Sequence, residues 1–312
     1  MPLSTASLSV PDPWQLTRRL AEVAPYHVDV VGDGGIRRQI GDGHWTARPV
    51  GSELVLVVSA ADGPALRDLE HDLTDRLATH APEAPDPAWQ DPVDGADIEI
   101  LGPMVNDYVS GHSPRPDEVL RDLIAETISA TGGSAGMQVS PDEGALLTLL
   151  TSVVGARLAV EVGTFTGYSS ICIARGLADG GRLITCDTSE EWTGIARKYW
   201  ERAGLSHVIE ARLGPALVTL ASLPHDLNID VAFIDADKDS YPAYFEQLVP
   251  RMRVGGLILI DNVFLGGRVF DPAYQEAHHV AMRKLNDLIA VDERVDAVML
   301  PVRDGLTVAR RR

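Results

Sequence analysis

Three short stretches of this sequence carry the residue types from which chemistry is made. The first is Phe233-Ile234-Asp235-Ala236-Asp237-Lys238-Asp239, an apolar run that breaks into charge. The second, Ile258-Leu259-Ile260-Asp261-Asn262, is another apolar run, ending in an acid and an amide. If both runs are neighbouring parallel strands, Asp235, Asp261 and Asn262 emerge together at the carboxyl edge of a sheet, where open α/β folds bind ligands. Two carboxylates and an amide oxygen are hard ligands suited to Mg²⁺ or a similar divalent cation such as Mn²⁺ or Ca²⁺. The chain offers no Cys/His cluster for zinc. Lysine is scarce here: of 27 Lys and Arg residues only Lys198, Lys238 and Lys284 are lysines, so a lysine inside the acidic stretch draws notice. Asp237 and Asp239 read as a solvated face, and Tyr241 and Tyr244 as packing residues that could border a ligand.

The third stretch is Ala159-Val160-Glu161-Val162-Gly163-Thr164-Phe165-Thr166-Gly167-Tyr168-Ser169. It reads as a strand, a glycine turn and the start of a helix, where backbone amides can face a ligand. The spacing G-x-x-x-G fits S-adenosylmethionine (SAM) better than the G-x-G-x-x-G of dinucleotide sites, although a purely structural turn would look the same. Asp187 ends the next strand and could accept both ribose hydroxyls or cap the following helix. Gly214-Pro215-Ala216 leaves room for a flat adenine.

The elements that must position these residues are legible in the periodicity. Strands are expected at Leu158–Val162, Arg182–Cys186, Val208–Ala211, Asp230–Ile234 and Leu257–Ile260. Helices are expected at Gly167–Leu177, Glu190–Ala203, Tyr241–Val249 and Ala281–Ala290. Ala297–Pro301 and Leu306–Ala309 around Arg303-Asp304-Gly305 read as a hairpin. The fold class is therefore α/β: a Rossmann-like, mostly parallel sheet closing with an antiparallel hairpin. Segments around Val105–Arg115 and Gly266–Tyr274 are expected to be loops that shape the substrate site. His278 and His279 read as an exposed helix pair.

From about residue 101 to 312 the chain resembles the cation-dependent O-methyltransferases of the caffeoyl-CoA and catechol type. The likeness rests on Met137-Gln138-Val139-Ser140-Pro141-Asp142-Glu143-Gly144, the glycine motif, FIDADKDSYPAYFE from Phe233, GGLILIDNV from Gly255 and LPVRDGLTVARR from Leu300. It implies the class I methyltransferase fold. It implies SAM contacts at Val139, Glu161, Gly163, Ser169, Asp187, Ala216 and Asp235, metal ligation by Asp235, Asp261 and Asn262, and a general base at Lys238. A lysine can surrender its proton to become such a base, whereas arginine cannot. The implied acceptor is a catechol-type or other phenolic small molecule, and the implied assembly a homodimer. A metal-independent methyltransferase and a SAM-binding regulatory module are the alternatives.

The resemblance leaves residues 1–95 uncovered. Residues 82–97, rich in Pro and Asp, read as a linker between a small α+β domain (1–81) and the methyltransferase domain (98–312). In the small domain a helix is expected over Trp14–Val23, strands at His27–Val31, Ile36–Ile40, His44–Pro49 and Leu54–Val58, and a helix from Asp62 to about Leu77. His44, Trp45 and His71 read as structural.

The net charge of −18 repels phosphate backbones, so nucleic acid is not an expected partner. With no signal-like start, no apolar run long enough for a span, and Cys172 and Cys186 reading as buried thiols, a cytoplasmic enzyme away from membranes is expected.

Overall fold

The computed structural model describes residues 3–22, 28–31, 35–40, 43–50, 53–60, 62–89, 103–270 and 274–312. Part of the expected linker, residues 32–34 and 41–42, and positions His27 and Val23 lie outside them. Contacts divide the chain into two compact units, Met1–Asp142 and Glu143–Arg312.

In the first unit, β1 (Leu3–Ser9), β2 (Val28–Val31), β3 (Gly35–Ile40), β4 (Gly43–Val50) and β5 (Glu53–Ser59) form an antiparallel sheet in the order β1-β5-β4-β3-β2. Alternation sends Leu54, Leu56 and Val58 of β5 to one face. There they meet α1 (Pro13–Glu22) and α2 (Gly63–His80) in a core that includes Leu8, Leu16, Trp45 and Leu73. Asp62 caps α2, accepting from Ala65 N–H at 2.9 Å, and Leu66, Leu69, Leu73 and Leu77 form its buried stripe. Trp45 is fully buried with its Nε1–H on Asp72 Oδ2 at 3.3 Å, and His44 lies beside Arg37, so both are structural. His71 is exposed. Strand β1 has no counterpart among the expected strands. Its Ser and Thr residues blur the alternation, yet Ser4, Ala6 and Leu8 are buried. The segment expected as a loop around Val105–Arg115 is a helix for most of its length, α3 (Pro103–His112), followed by α4 (Glu118–Thr131), which Asp117 caps through Leu120 N–H at 3.0 Å.

Helix α5 (Pro141–Val153) leads into the second unit. There β6 (Leu158–Val162), β7 (Arg182–Asp187), β8 (Ile209–Leu213), β9 (Ile229–Ile234), β10 (Met252–Asp261), β11 (Val295–Leu300) and β12 (Leu306–Arg311) make one sheet in the order β11-β12-β10-β9-β6-β7-β8. The five strands from β10 to β8 run parallel, and β12 and β11 close the sheet antiparallel, as the hairpin reading expects. Helices α6 (Tyr168–Gly176), α7 (Glu190–Arg202), α8 (Ala216–Ser222), α9 (Tyr241–Leu248) and α10 (Ala277–Val291) connect the strands. The parallel strands are apolar almost throughout because both faces are covered: Val160, Val162, Ile184, Val231, Phe233, Ile258 and Ile260 are 2% exposed or less.

Strand order reverses between β6 and β9. Adjacent loops leave in opposite directions at such a point and open a crevice at the carboxyl edge. Register aligns Val162 with Ile234 and Ile260 with Ile234, so Gly163, Asp235 and Asp261 each follow an aligned strand end. Asp235 N–H donates to Val162 O at 2.8 Å, which locks the first two together. At the opposite edge Asp230 accepts from the N–H groups of Arg157 and Leu158, each at 2.8 Å, and pairs with Arg253.

Candidate active site

After β9 the chain makes a 3-10 turn at Lys238–Ser240 and enters α9. This turn returns Lys238 toward the strand ends. Its Nζ donates to Asp235 Oδ1 at 2.8 Å, to Tyr241 Oη at 2.6 Å and to Asn262 Oδ1 at 2.6 Å. The same ammonium lies 4.7 Å from the centroid of the Tyr241 ring. Tyr241 is fully buried, and burial first, then the charges of Asp235 and Asp261, hold its phenol well above the ordinary range. It is therefore a neutral acceptor for the lysine. The sequence offered Tyr241 as a packing residue that could border a ligand, not as a partner of Lys238; its spacing of three from Lys238, one helical turn, is the signal that links them.

Asp261 ends β10 and is 3% exposed. Its Oδ1 accepts from Asn262 N–H at 2.6 Å. Burial, reinforced by the charge of Asp235 and opposed by Lys238, pushes its carboxyl up to about 8. Glu143 of α5, 2% exposed, hydrogen-bonds to it. An acid placed among the apolar residues of α5 is the sequence signal for that partner. Asn262 itself sits at φ +57, a left-handed conformation that asparagine tolerates better than most residues. The structure thus brings Asp235, Lys238, Asp261 and Asn262 to one place. Asp237 and Asp239 are exposed, and Asp237 accepts instead from the Tyr244 hydroxyl.

The turn after β6 builds the other half of the crevice. Glu161 is fully buried, its Oε2 accepting from Ser170 and, at 2.6 Å, from Thr185 Oγ1. Its Oε1 is buried with no hydrogen-bond partner. Burial raises this carboxyl to about 7. Gly163 has φ +100, and a Cβ there would overlap the carbonyl of Asp235; Gly167 has φ +88, and a Cβ there would come within 2.7 Å of Ala196 Cβ and 2.8 Å of Trp200 Nε1. Both glycines are therefore required by the chain's own packing, a reason distinct from the ligand approach expected from the sequence.

Asp187 ends β7. Its Oδ2 accepts from Thr164 N–H at 3.0 Å and Phe165 N–H at 2.8 Å, and its Oδ1 from Ser189 N–H at 2.8 Å. The cap of α7 is Ser189, which accepts from Trp192 N–H, so Asp187 is not the capping residue. Phe165 is held at φ +47, its ring edge-on to Trp192 at 4.9 Å. Gly214 N–H donates to Asp187 O at 2.9 Å, and Ala216, 8% exposed, opens α8. Ser169 lies in the first turn of α6 and is 7% exposed. Val139 is 7% exposed in the first unit.

Two further expectations are settled here. His279 is 3% exposed, so it is not part of an exposed pair; its Nδ1 faces Glu276 Oε2 at 2.8 Å and its ring packs on Tyr274. Cys172 and Cys186 are buried and form no disulfide, and burial pushes the Cys186 thiol up to about 12.

Among the described residues no three or more His, Cys, Asp or Glu side chains are grouped to hold a metal; the set at the β9 and β10 ends has two acids and an amide. No helix among the described residues is long and apolar enough to cross a membrane.

Comparison with known proteins matches residues 110–312 to the O-methyltransferase family. Probable caffeoyl-CoA O-methyltransferase 1 of Dictyostelium discoideum is 38% identical over 208 residues, 65% of this chain and 90% of that protein. Caffeoyl-CoA O-methyltransferase 2 of Eucalyptus globulus is 38% identical over 208 residues, 64% of this chain and 83% of that protein. The O-methyltransferase from Bacillus cereus in complex with SAH superposes with a TM-score of 0.63 at 36% identity, covering 69% of this chain and 100% of that one. TomG from Streptomyces achromogenes, solved with SAM and involved in tomaymycin synthesis, gives 0.62 at 31% identity, covering 69% and 99%. The chain belongs to the O-methyltransferase family, and it is a SAM-dependent O-methyltransferase.

Proposed function

We propose that this enzyme methylates one hydroxyl of an aromatic vicinal diol, with a divalent cation held by Asp235, Asp261 and Asn262 and with Lys238 as the base. The observation that carries this reading is the convergence of Asp235 Oδ1 and Asn262 Oδ1 on one ammonium, at 2.8 and 2.6 Å. Two oxygens that share one cation are placed to share another. The donor set is all oxygen, as Mg²⁺ prefers. The raised carboxyl of Asp261 marks a place where more positive charge would be stabilising. A divalent cation bound there would supply Lewis acidity that favours the anionic form of the acceptor oxygen.

The chain's own residues do the rest. Lys238, once its ammonium has released a proton to solvent and become a neutral amine, takes the hydroxyl proton at Nζ, and Tyr241 keeps Nζ in place through its neutral hydroxyl. Glu161, with a buried Oε1 lacking a partner, suits the cationic amino group of SAM. Asp187, fixed by three backbone N–H groups, keeps acceptor capacity for the ribose hydroxyls. Gly163, Ser169, Ala216, Val139 and Asp235 complete the SAM contacts that the family likeness implies. Held in this way, the sulfonium methyl needs only an aligned oxygen, and alignment supplies much of the rate.

The same contacts support one alternative. The Lys238 ammonium already neutralises Asp235, as a metal-independent methyltransferase would require. The domain assignment we favour is 98–312 for catalysis, 82–97 as linker and 1–81 as an appended domain. Family likeness supports a homodimer, and the two buried cysteines, which form no disulfide, fit a reducing, cytoplasmic setting. The test is labelled methyl transfer from SAM to matched phenols. Vicinal diols, including a caffeoyl thioester, should be methylated, and analogues with a single hydroxyl should not; equal turnover of both would refute the chelated-diol reading.

A further inference from the structure

The loop that carries Asn262 is held from two sides. On one side the turn between β11 and β12 grips its backbone. Val263 N–H donates to Gly305 O at 3.1 Å, Phe264 N–H to Asp304 O at 2.9 Å, and Gly266 N–H to Asp304 Oδ1 at 2.6 Å. On the other side Asn286 of α10 reaches in, its Nδ2 donating to Val263 O at 3.0 Å. The second end of that amide, Asn286 Oδ1, is buried and has no hydrogen-bond partner.

An amide whose oxygen is buried and unsatisfied is a poor device for stability, because the desolvation of the lone oxygen offsets the bond made at the other end. A hydrocarbon side chain of similar volume would avoid that cost. What the amide does, and a hydrocarbon cannot, is fix the carbonyl of Val263, the residue that follows Asn262. That carbonyl needs fixing. Asn262 stands at φ +57, which asparagine tolerates, but Leu265 stands at φ +49, a conformation that a leucine keeps only where the surroundings impose it. Val263 is held at both ends, its N–H on Gly305 O at 3.1 Å and its carbonyl on Asn286 Nδ2 at 3.0 Å, so freeing that carbonyl loosens the residue bonded to Asn262 and, through it, the aim of Asn262 Oδ1 at Lys238 Nζ. Helix α10 also packs against the Lys238–Ser240 turn, so one helix supports both partners of that contact.

We infer that Asn286 is a positioning residue: through the Val263 carbonyl it holds Asn262 Oδ1 in the oxygen set at the ends of β9 and β10. The inference rests on the proposed role of that set. It assigns a function to a side chain that acts through a backbone carbonyl, and loss of a group that orients a ligating side chain typically costs about 10–100-fold in metal affinity or activity.

The experiment uses the full chain and two variants, Asn286→Leu and, should the leucine variant not fold, Asn286→Ala. Mn²⁺ binding is followed by the paramagnetic resonance of the free ion, together with Tm, kcat and the KM for SAM. The expected result is a folded variant whose Kd for Mn²⁺ rises about tenfold or more, whose kcat falls to match, and whose KM for SAM stays within about twofold. Values of Kd and kcat within about twofold of the parent would overturn the inference. So would a KM for SAM that rises in step with the lost kcat, the sign of general loosening. If the parent protein itself binds no Mn²⁺, the metal reading fails separately. The positioning role then stands on a tenfold fall in kcat at constant KM for SAM, and falls if kcat is unchanged.

Discussion

Lys238 and Asn262 stand 24 residues apart in the chain, yet Lys238 Nζ donates to Asn262 Oδ1 at 2.6 Å. The contact exists because β9 and β10 are parallel neighbours in register at Ile234 and Ile260, which puts the two turns that follow side by side. It joins the proposed base to one of the proposed metal ligands.

If Lys238 moves a proton, its charge alone is not enough. Lys238→Met should lower kcat by roughly 10²–10⁴-fold, the range for loss of a general base. Lys238→Arg retains an ion-pair partner for Asp235 but cannot deprotonate, so it should fall as far. The dissociation constant for SAM should change little in either. An arginine variant that recovers turnover would show that Lys238 supplies charge rather than base catalysis.

Glu161 sets a pH dependence of stability. Its carboxyl is raised from 4.5 to about 7 by burial. Between those values the folded chain holds a proton that the unfolded chain has lost, so stability falls as pH rises. The contribution is fully present below about pH 4.5 and gone above about pH 7, an order of 3 kcal/mol across the window. Denaturation midpoints of the ligand-free protein from pH 5 to 8 should show this decline, and Glu161→Gln should flatten it. A parallel slope in both proteins would place the titration elsewhere.

Far from the crevice, Asp230 ties β6, β9 and β10 together at their amino ends. Removing it leaves two N–H groups and the Arg253 guanidinium short of an acceptor. Asp230→Ala should therefore cost about 2–4 kcal/mol, read as a lower urea midpoint, with kcat intact at 25 °C. A loss of kcat without loss of stability would contradict a purely structural clamp.

The second unit was largely legible in the sequence because it is written in strong periods. Buried parallel strands appear as apolar runs, and those ending in Asp235, Asp187 and Asp261 also announce where the polar edge lies. The first unit was less so. Strand β1 hides behind serines and a threonine, and α3 carries glycine and histidine near its end, which reads as loop. At the site, Asp235, Lys238, Asp261 and Asn262 could be gathered from two strand ends. Glu143, Tyr241 and Asn286 could not, because their roles depend on how helices α5, α9 and α10 pack, and a helix's own period says only which face is buried. The glycines show the same limit. Their positions were plain, but the obstacle that forbids a side chain at Gly163 is the carbonyl of Asp235, 72 residues on in sequence and visible only once the strands are paired.

The central claim is that a divalent cation at Asp235, Asp261 and Asn262 takes part in methyl transfer to a diol, and the direct measurement is the rate of that transfer as metal is removed and restored. Protein stripped with a chelator and supplied with SAM and a catechol should be inactive. It should regain full turnover as Mg²⁺ is titrated back, and Asp235→Ala should remain inactive at every concentration. Turnover that survives the chelator unchanged would contradict the claim and leave the Lys238 ammonium as the cation that serves this site.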